Sequence, residues 1–396
     1  MQQTLSQNQK RIESIDLLRG LVMIIMALDH TRDYFHGDSF RFDPTDLTQT
    51  NIILFFTRWI TNFCAPVFMF LSGTSAFLVG ERKGKKELSR FLITRGLWLM
   101  LLELTIVNFS WFFDTHFTSI YLVVIWALGL CMIILSALIH LPLKFIFLIG
   151  ILIVAGHNLL DNIHVDGNSF KAFLWAELHE QRRFSVGNHT VGTGYPILAW
   201  IGIMSLGYCF GSLYKKGFPV AKRKRLLLIT GCSAILLFIL LRAINNYGDP
   251  HPWAQQPAFS FTILSFINVT KYPPSLFYAL LMLGPAILFL AIAEKRTPRF
   301  LKPVIHIGRV PMFFYLLHIY LLHLIALFAA PLAGHAWTDM LLTNWPWLQP
   351  QLKGYGFSLG IVYLVWITVI LLLYPLCKWY DKYKTSHKEK WWLSYL

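Results

Sequence analysis

Ten stretches of this chain stay apolar for about 20 residues, the length a helix needs to cross the hydrocarbon core of a bilayer. They lie near residues 16 to 35, 51 to 79, 91 to 110, 119 to 139, 144 to 160, 196 to 214, 226 to 244, 275 to 293, 310 to 330 and 356 to 377. With 56% hydrophobic residues, 14% charged residues and a mean hydropathy of +0.53, the chain is more apolar than a water-facing surface tolerates, so lipid is its main solvent. The expectation is an all-α fold, a polytopic transmembrane bundle of about ten helices. No repeat period or linker divides it, so residues 1–396 read as one membrane domain, with a leader at 1–14 and a tail at 378–396 outside the bilayer.

A net charge of +15 raises the question of nucleic acid, and the placement of the 35 Lys and Arg residues answers it. With the N-terminus on the cytoplasmic side, 25 of them fall in cytoplasmic loops and flanks, mostly at 10–11, 81–95, 215–225, 295–309 and 378–390. Only Arg41, Lys171, Arg182, Arg183, Lys271 and Lys353 fall in the opposite loops, while Arg19, Arg32, Arg58 and Arg242 lie in or at the ends of spans. This is the positive-inside pattern. It predicts two cytoplasmic termini, contact with membrane lipids and no nucleic-acid partner.

The polar start Met1–Gln9 runs into a span bearing Asp16 and Arg19 without a small-residue cleavage pattern, so the first span is expected to be retained. Cys64, Cys131, Cys209, Cys232 and Cys377 are scattered over five apolar stretches and read as small core residues, so neither disulfides nor a metal is expected. The non-cytoplasmic loops 36–50, 161–195, 246–274 and 332–355 are longer and rich in His, Trp, Asn, Asp and Pro, where a polar substrate would be met.

A charge near the middle of a span costs on the order of 2.5–3.5 kcal/mol on insertion scales, so each one needs a partner or a task. In the first span, Asp16 and Arg19 precede Asp29-His30-Thr31-Arg32-Asp33. Arg19 and His30 are eleven residues apart, which puts them on one helix face about 16 Å apart, too far to touch but able to line one passage. Asp16 can pair with Arg19 at i+3. For His30 the intrahelical partner is Asp33, also at i+3, which leaves Asp29 to bind something else.

Arg58 in the second span sits at the depth of Asp29 and Asp33, which predicts an interhelical salt bridge. Pro66 should kink that span. Glu103 has no cation at i±3 or i±4 and must pair across helices or be neutral, which makes it a substrate-binding candidate. His318 and His323 in the ninth span are five residues apart and do not share a face, which argues against a two-His metal site there. Tyr272, in Lys271-Tyr272-Pro273-Pro274, precedes the eighth span and could shape the outer mouth.

The stretches 11–20, Asp29-His30, Asp43-Pro44-Thr45-Asp46-Leu47, Cys64-Ala65-Pro66 through Gly73-Thr74-Ser75, and Gly308 to His318 resemble bacterial membrane proteins grouped with the catalytic domain of heparan-alpha-glucosaminide N-acetyltransferase. The Arg19 to His30 spacing is similar to that of the acyltransferase-three membrane O-acyltransferases. The resemblance implies a multi-pass protein of the bacterial cytoplasmic (inner) membrane. Such a protein moves an acetyl group from cytoplasmic acetyl-CoA to a sugar or glycan amine or hydroxyl on the other side, with an essential His. His30 matches the acyltransferase-three His. The human lysosomal relative has Asn at that position and its His in the following loop, for which His36 is the nearest match, and it has Asp where this chain has Asn62.

The catalytic candidates are therefore His30, Asp29, Asp33 and His36. Arg19, Arg58, Glu103, Tyr272 and His318 are candidates for binding substrate, and Arg95 and Arg309, with Arg19, for binding the acyl-CoA phosphates. A base that takes the acceptor proton and an acyl-His intermediate are both open. A secondary transporter or proton-coupled carrier would use the same intramembrane charges. A homo-oligomer is compatible with the sequence.

Overall fold

A computed structural model of the chain describes residues 12–294, 298–387, 389, 390 and 393. Lys10, Arg11, Lys295, Arg296 and Lys388 of the charge pattern, and most of the leader, lie outside the described residues. The helices are α1 (Glu13–Phe35), α2 (Ile52–Trp59), α3 (Cys64–Lys83), α4 (Lys85–Leu102), α5 (Asn108–Phe112), α6 (Val124–Leu138), α7 (Leu143–Gly156), α8 (Phe170–His179), α9 (Leu198–Phe210), α10 (Val220–Ile244), α11 (Phe259–Ile267), α12 (Leu276–Ala293), α13 (Lys302–Arg309), α14 (Pro311–Ala329) and α15 (Leu359–Ser386).

Among the described residues, seven helical runs are long and apolar enough to cross a membrane: Ile52–Lys83, Lys85–Phe112, Leu143–Leu160, Val220–Ile244, Leu276–Ala293, Pro311–Ala329 and Leu359–Ser386. This is an integral, multi-pass membrane protein. The other three predicted stretches also contain helices. Val124–Leu138 and Leu198–Tyr214 are apolar but shorter, and α1 carries the charges that set it apart. The peripheral α10 and α15 expose Leu236, Leu240, Leu364 and Leu371, apolar side chains that suit lipid.

An all-α reading needs one correction. Strands β1 (Ser119–Leu122), β2 (Arg182–Val186) and β3 (His189–Thr193) form a three-stranded sheet in the order β1-β3-β2. β1 runs parallel to β3, with Tyr121 opposite Gly192, and β2 runs antiparallel to it, with Phe184 opposite Val191. The stretch expected as a span from 119 is thus a strand first, and its helix starts at Val124.

Pro66 lacks the N–H that would bond the carbonyl four residues back; the run from α2 to α3 passes through a 3-10 turn at Ile60–Phe63, and the Asn62 carbonyl accepts instead from the Tyr278 hydroxyl at 2.7 Å. Gly84, at φ +76°, lets α3 turn directly into α4.

Helix α1 packs against α3, α12, α13, α14 and α15. Its approach to α13 is backbone to backbone: a Cβ on Gly20 would lie 1.9 Å from the Val304 carbonyl oxygen, and one on Gly308 1.9 Å from that of Asp16. Close approach through small residues is how helices associate where lipid removes the hydrophobic drive. One end of the bundle gathers basic loops, joined by Lys215–Glu81 (3.1 Å) and Arg223–Glu294 (2.5 Å). The other holds the sheet and the loops after α1, α7, α10 and α14. We call these the basic end and the sheet end.

Candidate active site

The C-terminal half of α1 brings Asp29, His30, Arg32 and Asp33 into the bundle just below the sheet. Arg32 is 4% exposed and clamps both carboxylates, with Nη1 2.7 Å from Asp29 Oδ1 and Nη2 2.6 Å from Asp33 Oδ1. Arg58, two residues before the 3-10 segment, reaches Asp29 Oδ2 at 3.6 Å and donates to Asn62 Oδ1 at 3.1 Å. The expected interhelical salt bridge is therefore present, and its carboxylate is Asp29. One expectation is corrected here. Asp33 is taken by Arg32 rather than by His30, while Asp29, left by the helix geometry to bind another group, sits between two guanidiniums.

The partner of His30 comes from the far end of the chain. Its Nδ1 lies 2.7 Å from His318 Nε2, and His318 Nδ1 lies 3.0 Å from the Phe314 carbonyl one turn earlier on α14. A carbonyl only accepts, so His318 carries its proton on Nδ1 and presents a lone pair at Nε2. His30 must then donate from Nδ1, which leaves the lone pair of His30 Nε2 unoccupied by this chain of bonds. Trp111 meets the His30 ring edge to face at 4.8 Å and Tyr315 at 6.2 Å, which fixes its plane.

Two cavities meet at this ring. A cavity of about 720 Å³ opens on the sheet side and is lined by Arg32, Arg58, Arg182, Arg183, Trp345 and Trp347, among others. A narrower one of about 300 Å³ extends toward the basic end between apolar walls such as Met23, Met26, Phe68 and Met132, with Arg19, Arg95, Arg309 and Lys384 along it. Asp29, His30, Val124, Tyr195, Lys271 and Tyr315 border both. Tyr272 lines the sheet-side cavity and donates to Tyr195 at 3.2 Å.

At the basic end Arg19 binds Asp16 (3.2 Å), the Gly308 carbonyl (3.2 Å) and Ser75 (3.2 Å), and Arg309 binds Asp16 (3.3 Å) and Asp381 (3.5 Å). The i+3 pair read from the sequence is real, and Arg309 widens it into a network. Arg19 and His30 both line the narrow cavity, as their shared helix face implied.

Three candidates fall outside both cavities: His318, fully buried behind the His30 ring it bonds, Glu103 and His36. Glu103 sits at the start of a π-turn, Glu103–Val107, and its Oε2 accepts from the backbone N–H groups of Ile125 and Trp126 at 2.9 and 3.0 Å. It caps α6, so its missing cation is replaced by a helix N-terminus. His36 ends α1, is 5% exposed and bridges its backbone to Phe357. His323 faces the Ser110 and Met340 carbonyls at 3.0 and 2.7 Å, a structural arrangement.

Residues 11–242 match the family described as heparan-alpha-glucosaminide N-acetyltransferase, catalytic. The chain belongs to that family. No curated protein matches it. Membership in the heparan-alpha-glucosaminide N-acetyltransferase family implies an acetyltransferase held in a membrane. The matched stretch contains Arg19, Asp29, His30, Arg32, Asp33 and Arg58 but ends before Lys271, Tyr272, Arg309, Tyr315 and His318. Of the cavity residues that sequence reasoning missed, Lys271, Tyr315, Trp345 and Trp347 lie outside the matched stretch, and Trp111, Arg182, Arg183 and Tyr195 lie inside it. The signal for Lys271 was its place as a rare cation on the sparsely charged side, next to Tyr272-Pro273-Pro274.

Proposed function

We propose that this protein transfers an acetyl group from acetyl-CoA, bound from the basic end, to an amine or hydroxyl of a sugar or glycan that enters from the sheet end, with His30 as the base. The observation that carries the reading is the position of His30 in the wall common to both cavities. The positive-inside rule makes the basic end cytoplasmic. Both termini are then cytoplasmic, ten helices cross, and residues 1–396 act as one domain in a bacterial cytoplasmic membrane.

The narrow cavity suits the donor. Arg19, Arg95, Arg309 and Lys384 supply positive charge for the nucleotide phosphates, and the apolar walls beyond them suit a pantetheine arm whose thioester stops at His30. The wider cavity suits a polar acceptor, with Trp345 and Trp347 as flat surfaces for a sugar ring and Arg182, Arg183 and Lys271 for its polar groups. In the reaction the acceptor nitrogen or oxygen attacks the thioester carbon, the new C–N or C–O bond forms and the C–S bond breaks. His30 Nε2 takes the acceptor proton and returns it to the departing thiolate. Asp29 lies beside the ring and supports the imidazolium formed on the way. Lys271, bordering both cavities, stands where an oxyanion would be stabilised.

Purified protein in lipid nanodiscs is expected to melt at a higher temperature with acetyl-CoA and to release CoA when glucosamine or a glucosamine-containing oligosaccharide is added. His30→Ala should lower the rate by about 10²–10⁴, and His36→Ala should leave it near that of the wild type. Full turnover in His30→Ala would remove the assigned base. Sugar crossing the membrane with no acetyl-CoA effect would replace the whole reading with a transporter.

A further inference from the structure

His157, Asp161 and His179 form a cluster that acetyl transfer does not use. His157 begins the turn His157–Leu160 that closes α7, Asp161 follows one helical turn later, and His179 is the last residue of α8. One donor atom from each lies within 4.8 Å of the other two. Both imidazoles are 2% exposed. His179 Nε2 lies 3.0 Å from Asp161 Oδ1, while Asp161 Oδ2 accepts from Asn158 Nδ2 at 2.9 Å.

The nitrogens of these rings are poorly satisfied. Neither ring nitrogen of His157 makes an aligned hydrogen bond, although the Pro274 carbonyl lies against the ring, and His179 Nδ1 also makes none. A buried polar group without a partner costs about 1–3 kcal/mol. An ion among the three side chains would engage one of the unpartnered His157 nitrogens together with one nitrogen of His179 and one oxygen of Asp161. The rings meet edge to face, with centroids 5.5 Å apart at 71°, so they do not stack and their lone pairs can converge.

We propose that His157, Asp161 and His179 bind a divalent first-row transition-metal ion such as zinc, which clamps the two walls of the sheet-side cavity together. Two imidazoles, one carboxylate and one water make a four-coordinate set of the kind zinc takes. With metal–donor bonds of about 2.0–2.1 Å, neighbouring donors in a tetrahedron sit about 3.3 Å apart. The His179–Asp161 pair is already near that spacing, and rotation of the His157 side chain closes the rest. Asn158 holds the second carboxylate oxygen, the supporting contact that orients a metal ligand. His179 keeps one proton by carrying it on Nδ1, so the ligands need lose no net charge.

The cluster joins the parts that shape the acceptor side. Asn158 Oδ1 accepts from the Leu276 N–H at the start of α12, directly after the loop that carries Lys271 and Tyr272. Helix α8 leads within three residues into β2, which begins with Arg182 and Arg183. An ion at this point would fix both segments.

The test uses full-length protein without a histidine tag, stripped with EDTA, incubated with zinc sulfate and desalted. Elemental analysis is expected to find one zinc per wild-type chain, with a raised melting temperature, and at least a tenfold loss of bound zinc in His157→Ala and in the milder Asp161→Asn. Cobalt-loaded wild-type protein should show the intense visible bands of a tetrahedral ion, a reading independent of whether the variants fold. Wild-type protein that retains no stoichiometric metal, a cobalt spectrum like that of the free aquo ion, or equal zinc in wild type and folded variants would each overturn the proposal.

Discussion

If His318 exists to hold His30 in one tautomer, removing it should slow the chemical step without weakening substrate binding. His318→Ala deletes the acceptor 2.7 Å from His30 Nδ1 and leaves a buried N–H unpaired. That loss is on the order of 1–3 kcal/mol, which at about 1.36 kcal/mol per decade lowers kcat by about 5- to 160-fold. His318→Gln presents a side-chain carbonyl that can accept from Nδ1, so it should recover most of the rate. Steady-state CoA release, followed with a thiol-reactive dye over a range of acetyl-CoA and acceptor, separates kcat from KM. The expected pattern is a fall in kcat, unchanged KM for acetyl-CoA and rescue by Gln. Because His318 acts through His30, the double variant His30→Ala/His318→Ala should be no slower than His30→Ala alone. Losses that multiply in the double variant, or a His318→Ala enzyme as fast as wild type, would refute the positioning role.

Three further outcomes follow from the packing. Gly308→Ala puts a methyl group 1.9 Å from the Asp16 carbonyl oxygen and should cost about 1–3 kcal/mol or more by overpacking, seen as a lower melting temperature in nanodiscs; an unchanged melt would mean that α1 and α13 are not this close. Glu103→Gln keeps the shape but weakens the cap on α6, so it should lower the melting temperature while leaving KM for the acceptor as it is, whereas a raised KM with normal stability would return Glu103 to the substrate site. Glu177, on α8, is 7% exposed; burial, opposed only in part by the hydrogen bond from Trp126, pushes its carboxyl from 4.5 up to about 7. The folded state therefore holds this proton more tightly than the unfolded one, and stability contributed by Glu177 declines as pH rises from about 4.5 to about 7. Glu177→Gln should flatten that decline in a melting-temperature series, and identical pH profiles for the two proteins would contradict it.

The sequence made the helical membrane fold and the buried charges of α1 and its neighbours legible for one physical reason: charge in lipid is costly enough that every ionisable residue within a span stands out. Asp16, Arg19, Asp29, His30, Arg32, Asp33, Arg58 and His318 were visible on that ground alone, and helix geometry correctly put Arg19 and His30 on one passage. Intrahelical arithmetic then succeeded where the nearest partner was one turn away, as for Asp16 and Arg19. It failed where a stronger competitor intervened. Asp33 is within reach of His30 along α1, but the Arg32 guanidinium offers it a full charge and direct contact, and the imidazole turns instead to His318, which is 288 residues away. Glu103 misled for a related reason, since its compensating charge is the N-terminus of α6, a property of the backbone with no residue letter. Strand β1 was hidden because its four residues lead straight into the apolar α6, and β2 and β3 because five-residue strands within a polar loop give too short an alternation to stand out. Which groups are in the site is thus written in the cost of burying each one, whereas which group touches which is decided by how α1 and α14 pack, and neither helix encodes that contact alone.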